Sequence, residues 1–244
     1  MTSITAEFNN PEPGASIAFR TVAEKIDAVV RYLQANDPLS KEWLLMRDTL
    51  NESLLYPVFD GGGALPTAAE AVLETEYKGE DVRFLSIWNG QTKKSDVVSI
   101  IFSFHDRDWP KWTLTINYRE SIESLGDYRR VADLLSIIAK TLSPISITVS
   151  RDDYFEKQVF QDRPGVGWML YLPHALTTKE VPEARALVPV LVKDQKGRDN
   201  QIGTIIVSIT DEPFSDENPE HVKIANSIEI RLVDQDLIPL FGAD

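Results

Sequence analysis

"VRFLSIWNGQTKKSDVVSIIFSFHDRDWPKWTLTINY", residues 82–118, decides the fold class. Three runs rich in β-branched and aromatic residues, Val82 to Trp88, Asp96 to His105 and Trp112 to Tyr118, are separated by polar turns at Asn89-Gly90 and Asp108-Trp109-Pro110. That spacing predicts an antiparallel meander. Directly after it, Asp127 has the chemistry of a helix N-cap, and Val131, Leu134, Leu135, Ile138 and Leu142 recur at helical spacing until Ser143-Pro144.

Outward from this stretch the same alternation repeats. Upstream, Ile17, Val22, Ile26, Val29, Val30 and Leu33 predict a helix over 15–34, and Pro66-Thr67 opens a shorter one that closes at Tyr77. Trp43 to Met46 fits either strand or helix, and Asp60-Gly61-Gly62-Gly63 is a loop. Downstream, strands are expected over 145–149, 167–172, 186–192 and 201–209, and then a helix from Pro219 carrying Val222, Ile224, Ala225, Ile228 and Leu232. Strands followed by a long helix, twice over, define an α+β protein with mainly antiparallel sheet flanked by long helices. The expected organisation is one domain over 1–244, divisible into two sublobes, 1–143 and 144–244.

The chemistry the sequence excludes is informative. Without cysteine there are no disulfides, thiolate metal sites or cysteine nucleophiles. No Gly-x-Ser-x-Gly, Ser-x-x-Lys or Gly-x-x-x-x-Gly-Lys occurs. Gly165-Val166-Gly167 runs into the strand-like Trp168 to Leu172 and reads as a turn, since a phosphate cradle would open a helix. His105, His174 and His221 stand far apart, so no metal is expected; His105-Asp106-Arg107-Asp108, the best local candidate, reads as a turn with an arginine between its acids. Glu76-Tyr77-Lys78 matches half of a restriction-type nuclease site but closes a helical segment. A carboxylate pair that meets only in the fold stays open.

Charge supplies the positive signal. Twenty-five basic and 38 acidic residues give −13, which repels nucleic acid and anionic lipid and favours a basic partner. Between Thr210 and Asp244 nine acids face only Lys223 and Arg231, a local balance of −7. Such a surface commonly serves solubility alone; its sharper meaning is a docking face. Asp211, Glu212, Asp216, Glu217 and Glu220, in a polar loop set off by Pro213 and Pro219, are the candidate docking acids. Asp106, Asp108 and Trp109 form a second candidate patch, with the tryptophan as an anchor. The opening "MTSITAEFNNPEPG" lacks signal-peptide features and no apolar run approaches a membrane span, so a cytoplasmic location is expected.

"RPGVGWMLYLP" (163–173) and "ENPEHVKIANSIEIRLVDQDLIP" (217–239) together resemble the immunity protein 52 family of bacterial polymorphic-toxin systems. The resemblance runs along most of the chain and is strongest after about residue 150. Gly167 to Pro173, Gly203 to Val207 and Leu237-Ile238-Pro239 carry it. It implies an immunity protein, not an enzyme, that needs no cofactor. Such a protein binds and neutralises a cognate nuclease toxin with a restriction-endonuclease-like domain by non-catalytic occlusion, the toxin being delivered by a contact-dependent apparatus such as type VI secretion. The rival readings are a small cytosolic enzyme with convergent carboxylates and an adaptor domain of a secretion complex.

Overall fold

The structure, a computed structural model, describes residues 1–10, 17–61, 63–105, 111–120 and 122–241. It is mixed α and β, with ten strands and five α-helices among the described residues. Every strand pairing described is antiparallel. The antiparallel α+β expectation therefore holds in its coarse part. The helices are of ordinary length, none beyond 18 residues, rather than long flanking rods. The chain divides into two compact units, residues 7–125 and residues 1–6 with 126–244. Strand β1 (Thr2–Asn9) contributes residues to both.

In the 7–125 unit, helix α1 (Phe19–Asn36) precedes β2 (Trp43–Leu45), α2 (Leu50–Ser53), β3 (Pro57–Val58) and α3 (Thr67–Glu76). The meander follows as β4 (Val82–Trp88), β5 (Val98–His105) and β6 (Lys111–Tyr118), and the strand order is β3-β2-β4-β5-β6. Register aligns Leu85, Phe102 and Leu114 across three strands, and Ile87, Ile100 and Ile116 beside them. All six are fully buried, because a period of two sends alternate side chains to one face. Helix α1 buries Phe19, Val22, Ala23, Ile26, Val29, Val30 and Leu33, a stripe at helical spacing. Phe19 meets Phe104 edge to face at 5.3 Å, and the Arg83 guanidinium lies 4.7 Å from the Phe104 ring centre while donating to the Ile17 carbonyl.

The 1–6 and 126–244 unit begins with α4 (Tyr128–Leu142), whose Asp127 cap accepts from the Arg129 and Arg130 amides. Ser143, left-handed at φ 49°, ends it before Pro144. Then come β7 (Ser146–Arg151), a short 3-10 turn over 152–156, β8 (Met169–Leu172), β9 (Ala186–Lys193), β10 (Asp199–Val207) and α5 (Pro219–Asp234), with strand order β7-β8-β10-β9. Ile147, Tyr171, Ile205 and Val188 stand in register across the four strands. A bulge between Gln201 and Gly203 interrupts β10, and there a Cβ on Gly203 would stand 2.4 Å from the Tyr171 ring. Glycine is therefore required at the bulge for steric reasons.

Candidate functional site

The acid-rich loop between β10 and α5 is built on the 151–168 segment and the first turns of α5. Gly167 supplies the entry: at φ 51° it lets the chain approach β7, where a Cβ would lie 2.7 Å from the Val149 carbonyl oxygen. Gly-x-Gly is thus a turn against a strand, and no helix starts there to face an anion. Trp168 Nε1 donates to the Ile209 carbonyl at 2.9 Å and Ser208 Oγ to that of Gly167 at 2.7 Å, fixing where the loop leaves the sheet.

Three internal anchors then hold the loop. Phe214 is buried edge-on against Tyr154, ring centres 5.2 Å apart. His221, in the first turn of α5 and 6% exposed, accepts from the Ser215 amide at Nδ1, so its proton sits on Nε2 and donates to Glu212 at 3.0 Å. Asp216 turns inward and lies between Arg151 and Lys157, 2.8 Å from each. Burial alone would raise its carboxyl, but the Lys157 hydrogen bond and the two cations outweigh it and hold the group below its usual range. Asn218 caps α5 by accepting from the Glu220 amide, with Pro219 at the first helical position.

A second clamp lies beneath. Glu229, on α5 and 1% exposed, accepts from Tyr154 Oη at 2.5 Å, the Val166 amide at 3.0 Å and the Val159 amide at 2.9 Å. Burial pushes its carboxyl above the ordinary value, against the opposing pull of these donors. Burial and the neighbouring Glu229 charge also push the Tyr154 hydroxyl far up. The segment 154–166 is in this way tied to α5.

The candidate residues fall into three groups. Asp211, Glu212, Glu217 and Glu220 are exposed on one loop and helix start. Asp216, expected to be exposed with them, is 4% exposed because its carboxylate balances two cations from a distant part of the sequence, Arg151 and Lys157. Asp106, Asp108 and Trp109 lie outside the described residues. Missed in the sequence were Tyr154, Lys157, Arg151 and Glu229. Only Glu229 carried a signal, since it shares the helical stripe of Ala225, Ile228 and Leu232. Among the described residues no group of three His, Asp or Glu side chains is arranged to hold a metal ion, and no helix is long and apolar enough to cross a membrane.

Four exposed acids, Asp211, Glu212, Glu217 and Glu220, thus stand on a loop and helix start that Phe214, Asp216 and His221 pin from within. The model of the immunity protein 52 family matches residues 16–240, and the chain belongs to that family. No curated protein matches it by sequence. Among solved structures it is similar in fold to a Pseudomonas aeruginosa protein named T6SS protein PA0821, with 11% identity, a TM-score of 0.51, and coverage of 94% of this chain and 72% of that one.

Proposed function

We propose that this chain neutralises a cognate bacterial nuclease toxin by covering the toxin's basic substrate cleft, with no chemistry of its own. Family membership supports a toxin-binding role, and the protein of similar fold is by its name a type VI secretion protein; delivery by such a machine and a cytoplasmic site of action belong to the proposal. The observation that carries it is the anchored acidic loop. Asp211, Glu212, Glu217 and Glu220 project from a backbone already fixed by Phe214, Asp216 and His221. A rigid acidic loop can stand in for phosphates without a large ordering cost on binding, and its field accelerates encounter with a basic surface.

The enzyme reading finds less support. Glu229, an acid with a raised protonation range, is sealed from solvent and engaged by a tyrosine and two backbone amides, which suits scaffolding better than proton transfer.

The test is co-expression with the product of the adjacent toxin gene, followed by association kinetics over a series of salt concentrations. Rescued growth, co-purification and an association rate that falls steeply with salt support the proposal. Replacing Asp211, Glu217 and Glu220 with lysine should slow association and flatten that dependence; unchanged kinetics would remove the loop from the interface.

A further inference from the structure

Helix α5 buries Ala225, Ile228 and Leu232 as its aliphatic stripe, yet its outward face also carries aliphatic side chains. The helix buries His221 and Glu229 and leaves Ile230 45% exposed, with Val222 partly exposed one turn after the acidic loop. Val159, 42% exposed, stands across from them on the clamped 154–166 segment. Together with Pro219 and the stems of Lys157 and Lys223, these side chains line an open groove of about 720 Å³. Aliphatic side chains gathered along one exposed groove, rather than scattered singly, mark a surface that a partner can cover.

The charges around the groove narrow the choice of occupant. Glu217, an exposed acid of the loop, stands at its edge. The two lysines in the lining are already engaged, Lys157 by Asp216 at 2.8 Å and Lys223 by Glu220 at 3.7 Å. What is left facing a visitor is a floor of Val159, Pro219, Val222 and Ile230, with Asn226 and Ser227 among them and the Glu217 carboxylate as an acidic lip. An aliphatic floor takes an apolar side chain, and an acidic lip takes a cation beside it.

We infer that this groove is the affinity-determining pocket of the interface, and that its occupant is a toxin segment with a large apolar side chain flanked by lysine or arginine. The inference rests on the immunity reading above and extends it: the acidic loop steers, and the groove holds. The floor is preformed, because Val159 is fixed through its own amide to Glu229 and α5 is capped beside it.

The probe is the toxin domain encoded next to this chain, carrying an inactivating substitution. Ile230→Arg and Val159→Arg should each weaken its affinity by about 30-fold or more, chiefly through faster dissociation, while unfolding curves remain those of the unaltered protein. A photo-crosslinker at position 230 should capture a toxin segment that joins an apolar residue to a basic one. If the unaltered chain binds and both arginine variants bind within about twofold of it, or the crosslink falls on an acidic segment, the groove assignment is overturned and the immunity reading stands. If the unaltered chain neither binds nor protects, both fall together.

Discussion

Replacing Tyr154 with phenylalanine isolates the clamp that supports the groove. The ring keeps its edge contact with Phe214 and its burial, so only the hydroxyl is lost. That hydroxyl donates to a buried carboxylate, and a hydrogen bond to a charged partner contributes about 1.5–3 kcal/mol. The cost must depend on pH in a definite sense. Burial raises the folded-state protonation range of Glu229 above its ordinary value near 4.5, and the Tyr154 hydrogen bond opposes that rise. A group whose folded pKa is raised contributes stability that is fully present below the unfolded value and is lost as pH rises through the folded one. Without the hydroxyl the folded value climbs further and more stability is lost at high pH. Urea unfolding should therefore show a loss of about 1.5–3 kcal/mol at pH 8, shrinking to about 1 kcal/mol near pH 4.5, where the hydroxyl faces a protonated acid. In a Glu229→Gln background the pH dependence should vanish. An equal loss at both pH values, or one below about 0.5 kcal/mol throughout, would refute the reasoning.

Gly203→Ala should destabilise the protein by about 1–3 kcal/mol in urea unfolding, because the new methyl would enter the Tyr171 ring and the Leu172 carbonyl. Gly167→Ala combines a positive φ with a methyl 2.7 Å from the Val149 carbonyl oxygen and should cost at least about 2 kcal/mol in the same assay. Asp216, held below its usual range in the fold, contributes stability that is present above the unfolded value near 3.8 and lost as pH falls through the folded one. Asp216→Asn should flatten that acid limb and speed hydrogen exchange of the 210–218 amides. Asp211→Lys and Glu217→Lys, both on exposed positions, should leave stability within about 0.5 kcal/mol while altering association.

Legibility in the sequence followed the strength of local patterning. The meander was readable because Val82–Trp88, Val98–His105 and Lys111–Tyr118 are rich in β-branched and aromatic residues and lie between polar turns, and the last of them alternates polar and apolar throughout. Strand β1 was not: its buried positions are Thr2, Ile4, Ala6 and Phe8, and two of them are too small to mark an apolar face. The two-residue β3 was hidden inside what reads as loop, since Pro57 and the following glycines are turn chemistry. For the candidate site, the acids were visible as a charge excess, but their orientation was not. Whether Asp216 points in or out depends on Arg151 and Lys157, and a pairing across some sixty residues leaves no periodic trace. The rotation of α5 is hidden for a related reason. Val222 and Ile224 look like core in isolation, whereas the buried face is the one that carries Ala225, Ile228 and Leu232 together with the hydrogen-bonded His221 and Glu229.

Occlusion without chemistry makes one demand that modification or degradation of the toxin does not, namely fixed stoichiometry. Titrating the purified chain into the reaction of the nuclease toxin it is proposed to neutralise, at concentrations well above the dissociation constant, should lower activity in a straight line that reaches zero at one equivalent. Full activity in the presence of excess chain, or silencing by a small fraction of an equivalent that deepens with time, would contradict the account.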